Sequence, residues 1–412
     1  MKTVEVTAER VWQFGMYLNS DVWADFQRTV RDQAAREGCD KEGFTGLISP
    51  LAGTMDTLHG WSDELVNTAL DRLHGVSGGL VSTAYSYVGI EGTNRDRIND
   101  APDNKRPHDA EPGAGAGVTF STADSPFHNP TEVVAKSISV GTTTITESMD
   151  KKTKGGWAPE AINWIVRNFS EHLGLGGKDL RQLVIEPLSG DYNRIRANGD
   201  AWADVGAMLN TILTNLGQNT KRLVTSDWTG DAAQAFLEHI DVIWAGGLYV
   251  ASKCAAWLQK GFGKLADLVL KIAKKCAQIF DKLIDKIISV ARRFIPGVGQ
   301  VLMAIEWIAS GFEDFPAWDD IRDIARMIDD IIHLQRTVTN LVTAAQNYVN
   351  GFEQAVGAIR SIPRIDSVEG VAATAGQFRQ GAEQMRQARA DFDKNVGDFQ
   401  KQLDSMSAQA PK

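Results

Sequence analysis

The stretch that decides the fold is Ser226-Asp227-Trp228-Thr229-Gly230-Asp231, which separates two long amphipathic patterns. From Ile195 to Leu223, apolar residues recur at spacings of three, four and seven, which predicts a helix packed along its whole length. The same periodicity continues from Phe236 to Phe294. Gly230 permits a backbone conformation that a β-carbon disfavours, and Trp228 can cover the end where the two helices reverse. We therefore predict a helical hairpin over residues 157–294; taken alone, Trp-x-Gly indicates only a hairpin turn.

Working outward, residues 1–91 predict another helical hairpin. Thr7 is a good N-cap for a first helix that ends near Gly38. A glycine-rich loop follows, and a second apolar pattern runs from Leu58 to Tyr87. Two amphipathic helices joined by a turn are expected to pack antiparallel.

The rest of the chain predicts a linker and a further helical pair. Residues 92–156 are rich in Asn, Asp, Pro and Gly, and Gly113–Gly117 reads G-A-G-A-G, so we expect a linker that is mobile in part. Its stretch Ile138–Thr146 is rich in Thr, Ile and Val and predicts a short β-hairpin. Residues 295–412 predict a C-terminal pair of helices broken at Pro363. The predicted fold class is all-α.

Composition, cysteine positions and the apolar stretches together indicate a soluble protein without disulfides. The 412 residues, 43% hydrophobic and 23% charged, are typical of a soluble globular chain, and the net charge of −9 gives no drive toward nucleic acid. Cys254 and Cys276 fall about 33 Å apart on one predicted helix, at about 1.5 Å per residue, so they cannot form a disulfide. The first residues lack the apolar core of a Sec-type signal peptide, and the apolar stretch Ile295–Phe312 is too interrupted for a good membrane span.

One more motif stands at the predicted end of the second helix, Tyr87-x-x-x-Glu91. Residues i and i+4 share a helical face, so the ring and the carboxylate can form one surface. With Trp228-x-Gly230, the chain resembles the WXG-motif family of small helical hairpins, which are substrates of the type VII (ESX) secretion systems of actinobacteria and some other Gram-positive bacteria. The order of hairpin, linker, lead-in around Trp157 and W-x-G hairpin is similar to the N-terminal region of type VII polymorphic toxins and channel-toxin proteins of actinobacteria.

The resemblance covers about Thr7 to Phe294 and implies an arrangement and a role. In that family, hairpins pair into four-helix bundles, and the Tyr-x-x-x-Asp/Glu signal of one partner works beside the W-x-G turn of the other. It implies that the two hairpins here pack as a pseudo-heterodimer and bring four residues together as an export signal for the secretion ATPase: Tyr87, Glu91, Trp228 and Gly230. A second match, Tyr17 with Asp21, lies mid-helix, and we interpret it as a core position and a surface position.

The same resemblance implies partners and a location. The partners would be the secretion ATPase and small WXG-type proteins or a second copy, and the protein would fold in the cytoplasm before export to the cell surface or medium. Two departures stand out: Gly43-Phe44-Thr45-Gly46 replaces W-x-G in the first hairpin, and no toxin domain is evident before Lys412. An effector is therefore expected to be a separate polypeptide or absent.

Charge segregation leaves further interpretations open. Residues 253–293 carry a net charge of +7, and residues 313–330 carry −5. In the simpler interpretation the basic helix packs against the acidic one. In the other it binds an anionic membrane, or inserts and forms a pore together with the apolar stretch Ile295–Phe312 that follows it. A coiled-coil adaptor that only binds a partner is a third. The basic face in question consists of Lys260, Lys264, Lys271, Lys274, Lys275, Lys282 and Lys286.

Motifs for catalysis are missing from the sequence. We find no H-E-x-x-H, no cysteine pair at zinc spacing, no complete phosphate-binding loop and no G-x-S-x-G. We therefore expect a protein without enzymatic activity, cofactor or metal.

Overall fold

Helices make up nearly all of the chain described by this computed structural model, and the predicted all-α class is confirmed. The description covers residues 6–99, 118–141, 145–154, 176–294, 318–360 and 368–409, with isolated positions between 163 and 171. Eight α-helices lie within these ranges: α1 (Ala8–Tyr17), α2 (Leu51–Asn99), α3 (Ile145–Lys154), α4 (Tyr192–Arg222), α5 (Asp231–His239), α6 (Gly246–Phe294), α7 (Trp318–Arg360) and α8 (Val368–Gln409).

Three of these helices are extended by π-helical segments. Helix α1 continues without a break to Gly38, α4 continues through Leu223–Asp227, and Ile240–Ala245 joins α5 to α6. The apolar positions that predicted the helix after Asp191 are all buried: Ile195, Trp202, Val205, Leu209, Ile212, Leu216 and Leu223. The periodic stripe is therefore the core-facing side of α4, as its spacing predicts.

Two hairpins pack against each other. Helices α1 and α2 form the first, and α4 with α5–α6 forms the second. Helix α1 runs antiparallel to α4: Thr7 contacts Asp227 at one end, and the Trp202 indole N–H donates to the Gly38 carbonyl 2.9 Å away near the other. Long helices in this register bury a continuous apolar interface along their length.

The linker segment, residues 118–141, lies along the groove between α1 and α4. Gln33 of α1 both accepts from the Lys136 N–H and donates to its carbonyl, each at 2.9 Å. Asn215 of α4 does the same with Thr131, at 3.2 and 2.7 Å. Each side-chain amide thus supplies the donor and the acceptor that a neighbouring strand would supply. The N–H and carbonyl groups of the extended segment are therefore hydrogen-bonded without a sheet.

This arrangement corrects the expected β-hairpin at Ile138–Thr146. No strand occurs in the described part of that stretch, and α3 begins at Ile145. Thr and Val content favours extended backbone, but its hydrogen bonds here go to helix side chains. Gly113–Gly117, the lead-in at Trp157, Pro363 and the apolar stretch Ile295–Phe312 lie outside the described residues.

We expect Asn215→Ala to lower the free energy of unfolding by about 2 kcal/mol, because Asn215 is fully buried and its side chain holds both the N–H and the carbonyl of Thr131. Urea unfolding measures this loss, and limited proteolysis should cut residues 118–141 faster. The matched control is Asn210→Ala on the exposed face of the same helix. Equal stability of the two variants would contradict the role given to Asn215.

The C-terminal helices α7 and α8 pack on α6, and α7 also reaches α2. Tyr348 of α7 donates its hydroxyl to the Trp257 carbonyl 2.7 Å away, and its ring lies 4.7 Å from that of Phe392 in α8. The apolar face of α6, including Leu265, Ile272 and Leu283, is buried by these contacts and by those with α4.

Candidate recognition surface at the Trp228 turn

The turn between α4 and α5 needs glycine at position 230. Gly230 has φ of 102° and ψ of −172°, a left-handed backbone region that side chains with a β-carbon avoid. Its carbonyl accepts from the Gln234 N–H 3.1 Å away, so the same residue begins α5. The glycine of the W-x-G motif is thus fixed by the conformation that reverses the chain.

Trp228 fills the end of the hairpin and is only 4% exposed. Its ring lies 5.4 Å from that of Phe236, which in turn meets Phe14 of α1 edge-on at 5.8 Å. Trp228 also pairs with Val6 in an isolated antiparallel bridge. The tryptophan therefore joins the turn of the second hairpin to the start of the first.

The indole of Trp228 also contacts the first hairpin through Tyr87. Its Nε1–H donates to the Tyr87 hydroxyl at 3.2 Å. Tyr87 is half-buried, so part of its ring faces solvent beside the buried indole. Two residues that are far apart in sequence and were selected by separate motifs thus lie in direct contact.

The two hairpin turns contact the opposite hairpin in the same way. Thr7, the N-cap of α1, donates its backbone N–H to the Asp227 carbonyl at 2.7 Å. Asp191, the N-cap of α4, donates its backbone N–H to the Gly43 carbonyl at 2.9 Å. Each hairpin therefore begins against the turn of the other, although the first turn lacks the W-x-G motif.

Helix α2 continues past the predicted signal. The sequence predicted that it ends near Tyr87 and Glu91, whereas it runs to Asn99. The backbone of Glu91 is helical and its side chain lies outside the description. Two neighbours of Tyr87 are exposed, Tyr85 at 38% and Ile90 at 56%. The surface beside Trp228 therefore lies within a helix rather than at a helix end.

The second Tyr-x-x-x-Asp match has a different environment. Tyr17 is buried, in agreement with its interpretation as a core position, and it donates its hydroxyl to the Asn129 side chain at 3.0 Å. The other end of that amide donates to Asp25 at 2.8 Å. Burial, together with the nearby Asp21, raises the pKa of Asp25 to about 6, against the opposing effect of the Asn129 hydrogen bond.

A pH dependence of stability follows from Asp25. Its pKa in the unfolded chain is about 3.9, so the folded state binds the proton more tightly. The associated stability is present below about pH 4 and is lost as the pH rises to about 6. We expect Asp25→Asn to flatten this part of the profile, measured by urea unfolding from about pH 4 to about pH 7. Asp200→Asn, at an exposed position of α4, should keep the parent slope.

Three of the seven lysines proposed as a basic face are paired with acids of the C-terminal helices. Lys264 lies 2.7 Å from Asp393, Lys271 lies 3.1 Å from Asp404, and Lys286 lies 2.6 Å from Asp320. Lys260, Lys274 and Lys282 are exposed, and Lys275 is half-buried. Lys286 also lies 3.1 Å from Asp323, so it joins the acidic stretch that the packing interpretation assigned to it.

Membrane binding through this face would require α7 and α8 to separate from α6, since they cover its apolar side. Among the described helices, none is long and apolar enough to cross a lipid bilayer.

The sequence did not predict the contacts that support the turn. Val6 and Thr7 precede the first periodic pattern, and no local signal assigns them to Trp228. Asn215 and Asn219 were also not predicted, although the sequence carries a signal for them, because both polar residues fall on the apolar stripe of α4. A buried amide at such a position needs a hydrogen-bond partner, here the linker segment.

Comparison of the chain with protein-family models, with curated proteins and with solved structures gives no match.

Proposed function

We propose that this chain is a non-enzymatic substrate or targeting module of a type VII (ESX) secretion system, exported in the folded state to the cell surface or medium. Its two hairpins would act as a pseudo-heterodimer of the WXG type, a four-helix bundle within one polypeptide. Tyr87, Glu91, Trp228 and Gly230 would form the surface that the secretion ATPase recognises. The chain would carry or accompany a toxin or other effector.

The observation that carries this proposal is the hydrogen bond from the Trp228 indole to the Tyr87 hydroxyl, at 3.2 Å. In the resembled family, the tyrosine signal and the W-x-G turn come from two partners and work side by side. Direct contact between the same two features within one chain therefore supports the proposal.

Further support comes from the reciprocal contacts of the two turns. The N-caps Thr7 and Asp191 each donate to a carbonyl in the opposite turn. Paired hairpins of separate chains would be expected to bury their helix starts in this manner, because the first N–H groups of a helix need acceptors. The proposal extends this arrangement to recognition of the pair as one unit.

Export from an actinobacterium with an active type VII system tests the proposal. An epitope-tagged chain is measured in culture filtrate and in lysate, in the parent strain and in a strain without the secretion ATPase. We expect Tyr87→Ala and Glu91→Gln to reduce export at least about tenfold, equivalent to about 1.4 kcal/mol of lost binding, with normal amounts in lysate. Tyr87→Phe separates the role of the hydroxyl from that of the ring.

Two controls match these variants. Tyr85→Ala removes an exposed tyrosine two residues before Tyr87 on α2. Asp21→Asn removes the acid of the second Tyr-x-x-x-Asp match. Both should be exported as the parent is. Export of all variants at the parent level, or export without the ATPase, would contradict the proposal and favour the adaptor alternative. Leakage of anionic liposomes tests the membrane-active alternative separately.

A further inference from the structure

The groove between α1 and α4 is lined by buried amide side chains. Gln13 and Gln33 of α1 are buried, and so are Asn215 and Asn219 of α4. All four bond to the backbone of the linker segment, residues 118–141, through Ser121, Lys136, Thr131 and His128 respectively. A primary amide carries both a donor and an acceptor, as a peptide group does. The groove is therefore suited to the backbone of an extended peptide.

The second half of the linker segment runs along α4 at full extension and in the opposite direction. Thr131 bonds to Asn215, and the Gly141 carbonyl accepts from Asn193 at 2.8 Å. From Thr131 to Gly141, an extended chain spans about 33 Å at about 3.3 Å per residue. From Asn193 to Asn215, α4 also spans about 33 Å, at about 1.5 Å per residue. The agreement of the two lengths shows that the groove holds an extended chain in register with the helix.

Two side chains anchor the linker segment. Within residues 118–141, only Phe127 and Val133 are buried. The ring of Phe127 meets that of Phe14 in α1 edge-on, with 5.2 Å between the centroids. Because the other side chains are half-buried or exposed, the groove selects mainly an extended backbone with an aromatic residue and, six positions later, a β-branched residue.

The linker segment can leave this groove without breaking a helix. Among the described residues, its backbone-to-backbone hydrogen bonding is limited to the Ser125 N–H and the Thr122 carbonyl, 3.1 Å apart within the segment itself. A segment with few buried side chains opens at a lower free-energy cost than the helices beneath it. Its departure would leave the buried amides of α1 and α4 without their partners, and a second extended peptide can satisfy them.

We propose that the groove between α1 and α4 is a binding site for an extended peptide, and that the linker segment occupies it as a releasable intramolecular ligand. The partner that fits is an extended segment of another polypeptide, with an aromatic residue and a β-branched residue six positions later. Since one helix of each hairpin lines the groove, an occupant also holds the two hairpins together. The proposal does not depend on export.

Hydrogen exchange of the intact protein, followed by mass spectrometry, tests the release. The N–H groups of Thr131, Lys136 and Ile138 donate to side chains of α1 or α4. We expect fragments of the linker segment to exchange at least about tenfold faster than fragments of α4, each relative to its intrinsic rate. Exchange of both at one rate, in a single cooperative step, would mean that the segment leaves only on global unfolding and would overturn the proposal.

Binding from another chain is tested on the full-length Phe127→Ala/Val133→Ala double variant, in which the intramolecular ligand has lost its anchors. A fluorescein-labelled peptide with the sequence of residues 118–141 is titrated, and its fluorescence anisotropy is measured. We expect saturable one-to-one binding, with a Kd at least about tenfold lower than for the parent, whose own segment competes. An equal Kd for both proteins, no binding, or loss of the helical circular dichroism of the double variant would overturn the proposal.

Peptide and groove variants locate the site. A peptide with alanine at Phe127 and Val133, and another N-methylated at Thr131 and Lys136, should each bind the double variant at least about tenfold more weakly. The first lacks the anchors, and the second lacks two N–H donors.

Asn215→Ala, added to the double variant, should weaken binding of the unmodified peptide by a similar factor. Asn210→Ala, at an exposed position of the same helix, should leave the Kd unchanged. Equal binding of the three peptides, or unchanged binding after Asn215→Ala, would show that the peptide binds elsewhere and would overturn the proposal.

Discussion

Replacing Trp228 with alanine is expected to lower the free energy of unfolding by about 3–5 kcal/mol, the range for truncating a buried aromatic side chain. The indole is almost fully buried, stacks near Phe236 and bonds Tyr87, so its loss leaves a space where the two hairpins meet. Urea or thermal unfolding followed by circular dichroism measures the change.

Two conservative variants separate the contributions. Trp228→Phe keeps most of the ring packing and removes the N–H, and Tyr87→Phe removes only the hydroxyl that accepts it. Each should cost about 1 kcal/mol, and the double variant should cost less than the sum because both remove the same bond. If Trp228→Ala stays within about 1 kcal/mol of the parent, the indole does not hold the hairpins together.

The structural role of Trp228 makes lost export of its alanine variant ambiguous. A Trp228→Ala variant that fails to appear in the medium has two explanations, loss of recognition and loss of folding. Tyr87→Ala changes the half-buried residue beside the indole, Glu91→Gln changes a position four residues further along α2, and both leave the buried ring in place. Their export, normalised to the amount of folded protein in the cell, is therefore the more direct test of recognition.

The second large effect is expected at the other turn, for Gly46→Ala. Gly46 has φ of 58°, and a β-carbon there would overlap the Pro187 carbonyl oxygen and lie 2.8 Å from that of Glu186. Both neighbours are backbone atoms, and the Leu47 N–H already donates to the Pro187 carbonyl at 2.8 Å. Left-handed strain of about 1–2 kcal/mol adds to the steric overlap, so we expect a total loss of about 3 kcal/mol.

The control for this variant is Gly53→Ala, in the first turn of α2. No atom lies within 4 Å of a β-carbon built at Gly53, and alanine favours helix over glycine by about 1 kcal/mol. Gly53→Ala should therefore unfold at the same or a higher urea concentration than the parent. If the Gly46→Ala protein were as stable as Gly53→Ala, the loop could move away from residues 186–187 without any loss in the free energy of unfolding.

The helices and their buried faces could be predicted because their signals are local. The spacing from Ile195 to Leu223 reports which side of α4 is apolar, whatever that side packs against. The end of α2 was placed too early, since Gly89 and Gly92 weaken a helix without ending it. The prediction of a β-hairpin at Ile138–Thr146 was also wrong. The composition of this stretch favours extended backbone, but it does not specify which groups that backbone hydrogen-bonds to.

By itself, the sequence determined the all-α class, the apolar face of α4 and the chain reversal at Trp228-Thr229-Gly230. The tertiary structure alone decided that Trp228 bonds Tyr87, that residues 118–141 follow the groove beside Gln33 and Asn215, and that Lys264 and Lys286 meet acids of α8 and α7. Helical periodicity depends on residues three and four apart, whereas these contacts join residues far apart in the chain. They depend on how whole apolar faces fit together, which the local pattern does not specify.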